Sequence, residues 1–377
     1  MQSFWEIDSY YADTDILIIG AGLMGLWSAY ELKKAAPSLS ITILEKSPTP
    51  LGASTRNAGF ACFGSLTELI SDEETMGTDA MLSIVENRYK GILKIRQTFS
   101  DKQIQYDACG GFEAIQQTHG TANHLSAHLN QLNALLAPIT GMANTFEDRS
   151  NSMASYGVKG FDHLVYNPLE AGIHSGKLVQ ALTQLVFSMG VQIINGIEVT
   201  GWNKAAADME VHTNQGATLH TKQLLVCTNG FTNVLLPQLH IEPARGQILL
   251  TQPIEGLQLK GTFHFDEGFY YWRHIGNRIL LGGARNLDFQ GEQTTSLEGS
   301  DAIRNHLMDF LTNHIITPSP IQIEQSWSGI MGFTPNKQPL CQWTEPTVLA
   351  AIACNGMGVA LTPIIAEKVA AMMLANN

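Results

Sequence analysis

Apolar residues near the start of the chain form two short runs with a helix-forming segment between them. Ile16–Ile19 is the first run, and Ile41–Leu44, interrupted by the single polar residue Thr42, is the second. The segment between them extends to residue 36 and is followed by Pro37, which cannot continue a helix. The pattern predicts a buried strand, a helix and a second buried strand in one βαβ unit.

Apolar spacing near 3.6 residues recurs later in the chain and predicts further helices, at 72–100, 121–137, 177–189, 299–314 and from Val359 to the C-terminus. Short apolar runs predict strands at 105–117, 191–194, 224–226, 320–328 and 348–353, with a few short strands between Ile197 and Leu219. From Ile241 to Ala284 the period changes to 2, and Gly276-Asn277 is typical of a hairpin turn. The order predicts a discontinuous dinucleotide domain, whose last part is the C-terminus, with a mostly antiparallel sheet domain inserted into it.

Composition agrees with a large globular protein. The 377 residues are enough for about two domains, and 44% of them are hydrophobic while 15% are charged. The net charge of −12 disfavours a nucleic-acid or anionic-membrane surface, since either would need a basic patch. We therefore expect neither partner.

Cysteine usage and hydropathy indicate the compartment. The five cysteines are odd in number and none have CxxC spacing, which favours free thiols in a reducing compartment over disulfides or a zinc site. The first 15 residues are acidic and aromatic, unlike a signal peptide, and no run reaches the roughly 18 apolar residues of a membrane span. We expect a soluble cytoplasmic protein without a bound metal.

A glycine-rich turn joins the first strand to the first helix. It reads Gly20-Ala21-Gly22-Leu23-Met24-Gly25, and Glu45 ends the second strand twenty positions later. In such a turn the first glycine permits the bend, the second admits a pyrophosphate and the third lets helix and strand pack closely, while the acid accepts hydrogen bonds from ribose. An ordinary βαβ turn would not need three glycines, so the pattern predicts a dinucleotide site. The return of the C-terminus to the sheet favours a flavin over a nicotinamide, because the isoalloxazine extends far from the glycine turn.

Other motifs follow in a fixed order along nearly the whole chain. They are Gly52-Ala53-Ser54-Thr55-Arg56-Asn57-Ala58-Gly59, the segment 226–237, Ala244-Arg245-Gly246-Gln247, Leu281-Gly282-Gly283-Ala284-Arg285, Trp327-Ser328-Gly329-Ile330 with Thr334-Pro335, and Asn355-Gly356-Met357-Gly358-Val359-Ala360-Leu361. With the glycine turn, this ordered set resembles the FAD-dependent D-amino-acid oxidase/glycine oxidase/sarcosine oxidase (DAO) superfamily. The segments around residues 56–59 and 228–232 are most similar to its γ-glutamylputrescine oxidoreductase-type branch.

The resemblance implies an α/β plus α+β fold, in which a Rossmann-like (GR2-type) FAD-binding domain carries an inserted, mostly antiparallel substrate domain. The FAD domain is expected at 1–104, 155–235 and 326–377, and the substrate domain at 105–154 and 236–325. The implied reaction is oxidation of a C–N bond in an amine or amino acid by hydride transfer to flavin N5, which gives an imine that water hydrolyses.

The resemblance also assigns cofactor-binding roles. Residues 54–59 are expected to surround the pyrophosphate and one flavin edge, Val199 to present its backbone to adenine, and residues 356–360 to direct N–H groups at the pyrimidine end. The full expected set is Gly20, Ala21, Gly22, Leu23, Met24, Gly25, Glu45, Lys46, Ser54, Thr55, Arg56, Asn57, Ala58, Gly59, Val199, Thr228, Asn229, Gly230, Gly329, Gly356, Met357, Gly358, Val359 and Ala360.

Three positions depart from family patterns. Met331 replaces the arginine that holds the substrate carboxylate in glycine oxidase-like members, and Gly329 replaces the cysteine that attaches FAD in monomeric sarcosine oxidase-like members. The hairpin residues 279–281 lack the lysine that activates oxygen in the latter group. We therefore expect non-covalent FAD, and the electron acceptor, oxygen or another molecule, stays open.

The strand from Phe269 to His274 presents alternating faces to the two sides of the sheet. Tyr271 and Arg273 are the favoured substrate-binding candidates, with Arg245 and Arg285 as further candidates for a carboxylate. His264 and His274 are interpreted as structural histidines. Two other hypotheses remain open: an FAD dehydrogenase of a C–O substrate, such as a hydroxy acid or a glycerol phosphate, and a flavoprotein without turnover.

Overall fold

The computed structural model describes residues 2–204 and 208–376. It divides the chain into two compact units. The first comprises the described parts of 1–55, 175–244 and 330–377, and the second comprises 56–174 and 245–329.

The helices, in chain order, are α1 (Phe4–Ser9), α2 (Leu23–Ala35), α3 (Ala53–Arg56), α4 (Leu66–Met76), α5 (Thr78–Thr98), α6 (Asp101–Ile104), α7 (Leu125–Thr140), α8 (Ser175–Ser188), α9 (Phe289–Glu292), α10 (Asp301–His314) and α11 (Gly358–Ala375). Short 3₁₀ turns lie at Gly120–His124, Ser150–Tyr156, Asn229–Val234, Pro237–Leu239 and Arg285–Leu287.

The strands are β1 (Thr14–Ile19), β2 (Ile41–Glu45), β3 (Phe60–Ala61), β4 (Gly111–Ile115), β5 (Glu147–Asp148), β6 (His163–Asn167), β7 (Ala171–Gly172), β8 (Gln192–Asn195), β9 (Val199–Lys204), β10 (Met209–Thr213), β11 (Thr218–Val226), β12 (Glu242–Thr251), β13 (Thr262–Phe265), β14 (Tyr270–Ile275), β15 (Arg278–Gly283), β16 (Ile323–Phe333), β17 (Leu340–Glu345) and β18 (Val348–Ile352).

The first unit is built on a sheet with the strand order β17-β18-β11-β1-β2-β8. β1 lies at its centre and pairs in parallel with β11 and β2, so that Ile19 is opposite both Val226 and Leu44. Ile16 and Leu17 are fully buried although they point to opposite faces, which shows that both faces of β1 are covered. β9 and β10 extend β11 as an antiparallel meander.

Helix α2 follows β1 and packs against α8 and α11. By length and composition alone, α11 is also the one described helix that could cross a membrane. Half of its apolar stretch is buried within the structure.

The second unit is built on a sheet with the order β16-β12-β15-β14-β13-β4-β6-β5, in which β13 and β4 are parallel and the neighbours β12, β15, β14 and β13 are antiparallel. One face packs on α10, where Trp272 and Leu281 of the sheet join Leu307 and Phe310 in one buried cluster. The β14–β15 hairpin turns at residues 276–277 with Ile275 opposite Arg278, as predicted.

The observed architecture confirms the predicted combination of a parallel α/β sheet and a mostly antiparallel sheet. Two element predictions were wrong in detail. The single helix predicted at 72–100 is two helices, because Gly77 adopts φ +85° between α4 and α5, a conformation that other residues rarely adopt. The strand predicted at 320–328 runs on to Phe333 as β16.

Candidate active site

The glycine turn between β1 and α2 has the geometry that a dinucleotide requires. Gly20 adopts φ +108°, and a Cβ on Gly25 would lie 2.1 Å from the Gly20 carbonyl oxygen. A Cβ on Gly22 would lie 2.9 Å from Ser54 Oγ. Larger side chains at these glycines would therefore clash within the turn, which leads into the 13-residue helix α2 and its partly positive N-terminus.

Glu45 is anchored beside this turn. It is buried, and its carboxylate accepts hydrogen bonds from the backbone N–H of Ala21 (3.1 Å) and of Ser47 (3.0 Å). Each carboxylate oxygen retains a further lone pair for a ribose hydroxyl. The adjacent Lys46 places its ammonium 4.1 Å from the centre of the Phe231 ring, which fixes the direction of that side chain.

The segment after β2 returns to the same helix end. Ser54 Oγ accepts a hydrogen bond from the Leu23 N–H (2.9 Å), and Thr55 Oγ1 donates to the Pro50 carbonyl (2.6 Å). The structure thus brings Ser54 next to the glycine turn.

The C-terminal motif forms a second backbone-rich corner in the first unit. Asn355 Oδ1 accepts from the Thr334 N–H (2.9 Å), and Asn355 Nδ2 donates to the Ala353 carbonyl (2.9 Å). Helix α11 begins just beyond, at Gly358, with Met357 as its N-cap. Val359 and Ala360 are buried in the first turn of this 18-residue helix, whose N-terminus carries the partial positive charge expected for the flavin's pyrimidine end.

The turn after β11 lies against this corner. Asn229 Oδ1 accepts from the Ala353 N–H (3.2 Å), and a Cβ on Gly230 would lie 2.7 Å from the Met331 carbonyl oxygen. Thr228 Oγ1 is 2.9 Å from Thr232 Oγ1. Asn229 and Gly230 therefore lie against the backbone of residues 353 and 331. Gly356 lies in the turn between β18 and α11. Val199, the first residue of β9, is buried, so its side chain is in the core.

The second unit begins with the remainder of the predicted flavin segment. Arg56 donates from Nη1 to the Ser328 carbonyl (2.8 Å), and its own carbonyl accepts from Trp327 Nε1 (3.1 Å). A Cβ on Gly329 would approach Arg56 Cβ to 3.0 Å, so a larger residue would crowd the segment. Asn57 Oδ1 accepts from the Gly59 N–H (2.8 Å) and closes a turn around Ala58.

Arg273 is 6% exposed and is directed at this segment. It donates to the carbonyls of Gly59, Ile173 (3.1 Å) and His274 (3.1 Å). All three of these acceptors are backbone carbonyls. Burial lowers the pKa of Arg273, as expected for a guanidinium moved out of water.

Phe60, His264 and Tyr271 form an aromatic cluster immediately after Gly59. The rings of Phe60 and His264 stack with centroids 5.1 Å apart at 9°, and Tyr271 meets Phe60 edge-on at 6.2 Å. Burial lowers the pKa of His264 to about 4 and raises the pKa of Tyr271 to about 12, so both are neutral near pH 7. Within the described residues, His264 Nδ1 is buried without a hydrogen-bond partner.

The two other arginine candidates have different surroundings. Arg245 makes a two-pronged contact with the buried Glu292 carboxylate, Nε to Oε2 at 2.9 Å and Nη2 to Oε1 at 2.7 Å, and Gln247 supports the same carboxylate. Arg285 lies over the rings of Phe269 and Phe289, with Cζ 5.4 and 5.1 Å from their centres.

Sequence reasoning did not select Phe60 and interpreted His264 as structural. Phe60 directly follows the Arg56–Gly59 motif, and that adjacency was the available signal. His264 alternates along β13 with the core residue Phe263 and so points to the other face, but only the β13–β14 register, with His264 opposite Tyr271, brings the two rings together.

Comparison with known proteins identifies the family. A family model described as FAD dependent oxidoreductase (DAO) matches residues 15–372. The probable oxidoreductase OrdL of Rhizobium meliloti (strain 1021) is 22% identical over 374 residues, covering 96% of this chain and 83% of that protein. L-2-hydroxyglutarate dehydrogenase of Escherichia coli (strain K12) is 24% identical over 324 residues, covering 79% and 72%.

Among solved structures, glycine oxidase from Geobacillus kaustophilus is similar with a TM-score of 0.76 at 17% identity, covering 96% of this chain and 95% of that one. The two folds are therefore similar over nearly the full length of both chains. The family match confirms the predicted resemblance, makes FAD the cofactor that the glycine turn and Glu45 fit, and establishes the protein as an oxidoreductase. The chain belongs to the DAO family of FAD-dependent oxidoreductases.

Proposed function

We propose that the protein oxidises a C–N bond of an amine or amino acid, giving an imine that water hydrolyses. The observation that carries this proposal is the neutral, buried cluster of Phe60, His264 and Tyr271. Its chemistry suits a substrate that needs orientation and does not need a base.

FAD, when bound, accepts the hydride that leaves the substrate carbon. We propose that the first unit holds its ADP portion, through the Gly20–Gly25 turn, Glu45 and Ser54, and directs the α11 N-terminus at the pyrimidine end. The second unit is proposed to bind the substrate. We propose that the other residues of the expected cofactor-binding set contact the same cofactor mainly through their backbone groups.

An amine can lose a hydride from its carbon only while its nitrogen lone pair is free, so the enzyme must take it unprotonated. A buried cluster that holds no charge disfavours an ammonium ion, which would lose its hydration there. His264 Nδ1 is buried without a partner among the described residues, and we propose that it accepts a hydrogen bond from the substrate N–H. Tyr271 and Phe60 supply the apolar surface beside it.

The arginines then divide into two groups. Arg245 and Arg273 have their donors engaged by Glu292 and by backbone carbonyls, so we propose that they brace the substrate unit. Arg285, at the end of the β14–β15 hairpin, is our candidate for a substrate carboxylate because its positive charge acts on Tyr271 of the aromatic cluster.

A C–O substrate is the second candidate, and the similarity to L-2-hydroxyglutarate dehydrogenase favours it. Oxidation of a hydroxyl group requires a base to take the hydroxyl proton as the hydride leaves. His264, with a pKa of about 4, is a weak base, and Tyr271, with a pKa of about 12, carries its proton. The cluster therefore fits an amine better than an alcohol.

The β14–β15 hairpin, which carries Tyr271, is the basis of our proposal for the electron acceptor. Ile279, Leu280 and Leu281 are all buried and apolar. This part of the hairpin therefore offers no ammonium group to stabilise the negative charge of superoxide as oxygen is reduced. We propose that an acceptor other than oxygen reoxidises the enzyme efficiently. A reducing, cytoplasmic location agrees with five free cysteines.

The experiment is anaerobic mixing of oxidised holoenzyme with two panels, one of amines and amino acids and one of hydroxy acids and glycerol phosphate. We expect a member of the amine panel to bleach the flavin and release a carbonyl product, and admitted oxygen to restore the colour slowly. Bleaching by the hydroxy compounds alone would contradict the proposal and support the second candidate.

A further inference from the structure

A cluster of three potential metal ligands lies in the second unit. Asp107, Cys109 and His274 each direct one ligand atom into a common space, and those atoms all lie within 4.8 Å of one another. We propose that these three residues form a binding site for a zinc-class divalent cation, with water as a further ligand. This inference does not depend on the proposed function.

The loop that carries two of the ligands is held by backbone hydrogen bonds. Asp107 exchanges both of its backbone hydrogen bonds with Gly172, at 2.8 and 2.9 Å, and the Cys109 N–H donates to the Asp107 carbonyl at 2.8 Å. The carboxylate and the thiol are therefore presented from one fixed turn. A prearranged pair of ligands lowers the entropy cost of binding an ion.

His274 completes the set from strand β14. Its Nε2 lies 3.1 Å from Asp107 Oδ2, and its Nδ1 lies 3.2 Å from the Gly261 backbone nitrogen and 3.4 Å from the Gly261 carbonyl oxygen. A histidine that binds a metal through Nε2 ordinarily donates its Nδ1–H to a backbone carbonyl or a carboxylate, and the Gly261 carbonyl is in position to accept it. In the other tautomer Nδ1 accepts from the Gly261 N–H and Nε2–H donates to Asp107, so a metal ion would select the tautomer that is protonated at Nδ1.

The donor types select among cations. One thiol, one imidazole and one carboxylate match zinc and similar borderline ions, while magnesium and calcium prefer oxygen ligands only. On binding, the S–H bond of Cys109 breaks, a metal–sulfur bond forms and the proton passes to solvent. The thiolate and carboxylate together supply two negative charges to a divalent cation, and the neighbouring Arg273 guanidinium offsets part of them.

A simple ion pair between His274 and Asp107 is the competing explanation. It accounts for the 3.1 Å contact but does not explain why the Cys109 thiol lies within 4.8 Å of both of the other ligand atoms. Cys109 is only partly buried, so an ion can reach it. The difference between the two explanations is therefore whether the sulfur binds the metal.

The test uses the FAD-loaded, full-length enzyme after removal of metals with a chelator. Titration with Co²⁺ is expected to give one bound ion per chain and a thiolate-to-cobalt absorption band, with weak visible bands at longer wavelengths than oxidised flavin absorbs. Zn²⁺ should displace the cobalt and remove both signals. Because loss of an outer-shell partner already costs about 10–100-fold in metal affinity, Cys109→Ser should lose the thiolate band and at least about 100-fold in Zn²⁺ affinity.

Two further variants keep the test decisive. His274→Gln should weaken Zn²⁺ binding to a similar extent, and FAD content and thermal unfolding report whether each variant is folded. Cys341→Ser removes another partly buried thiol and should leave the cobalt spectrum unchanged. Absence of the thiolate band in the wild type, or an unchanged band and affinity in Cys109→Ser, would overturn the proposal and leave only the His274–Asp107 ion pair.

Discussion

Arg273 donates a hydrogen bond to the backbone carbonyl of Gly59, from a strand 214 positions further along the chain. The sequence had suggested this arginine as a substrate ligand. The contact links the sheet of the second unit to the end of the motif Arg56–Gly59, and the carbonyl of Ile173 shares the same Nη1. The arginine thus fixes the path of the backbone next to Phe60.

Arg273→Lys tests this bracing role. A lysine keeps the charge but cannot reach separate carbonyls with a planar fork, and hydrogen bonds to charged groups contribute about 1.5–3 kcal/mol each. We expect a loss of about 2–4 kcal/mol in the free energy of unfolding, measured by urea denaturation. Arg278→Lys, which alters a half-exposed pair with Glu324, should cost less than about 1 kcal/mol. A rise in KM for carboxylate substrates with unchanged stability would instead restore the substrate role.

Gly25→Ala tests the packing of α2 on β1. The added Cβ would lie 2.1 Å from the backbone oxygen of Gly20, so the helix must move away from the strand. We expect a destabilisation of about 3 kcal/mol and weakened FAD binding. Gly201→Ala is the matched control, because its Cβ would meet nothing within 4 Å. Equal stability and FAD content in the two variants would show that the close packing is unimportant.

Glu45→Gln tests the anchor of the ADP portion. The amide keeps one oxygen for the Ala21 N–H but loses the negative charge and one acceptor. We expect the Kd for FAD to rise at least about tenfold, equivalent to about 1.4 kcal/mol. Flavin fluorescence titration of the apoprotein measures it, and the exposed Glu198→Gln provides the control. An unchanged Kd would remove Glu45 from the cofactor site.

Two buried acids in the second unit predict how stability depends on pH. Burial raises the pKa of Glu170 to about 8 and that of Glu113 to about 7, from 4.5. The folded state therefore holds protons that the unfolded chain releases, so this stability is full below pH 4.5 and is lost as pH rises towards about 8. His264 opposes the trend only between about 4 and its ordinary value of 6.5.

Glu170→Gln should flatten this dependence. The amide oxygen can still accept from the Phe63 N–H (3.0 Å), but the group no longer titrates. Urea unfolding of the wild type should show a falling free energy from pH 6.5 to about 8, with a smaller slope in the variant. The variant should be the more stable protein at the upper limit. Parallel curves for the two proteins would show that Glu170 does not take up a proton in this range.

The glycine turn and Glu45 could be predicted because they lie close together in the sequence. The β1 run, the three glycines and Glu45 lie within one βαβ unit, and the structure places them as that unit requires. Gly77 shows the limit of periodicity, because the apolar spacing continues through a glycine whose φ of +85° ends one helix and begins another.

Residues that the sheet of the second unit brings together could not be predicted from local sequence. The contact of His264 with Phe60 depends on the β13–β14 register, and Arg273 reaches Gly59 only after the sheet has formed. Asp107, Cys109 and His274 show no metal-ligand spacing along the chain for the same reason. Such contacts depend on long-range pairing that short sequence patterns do not encode.

The rate of anaerobic flavin reduction as a function of pH, measured by stopped flow for a series of amines, tests the central claim most directly. His264 and Tyr271, with pKa values of about 4 and about 12, should not titrate between those limits. The apparent reduction rate at low substrate should therefore rise with a single ionisation that follows the pKa of each free amine. A pH profile that is the same for every amine, or reduction by hydroxy acids alone, would contradict the account.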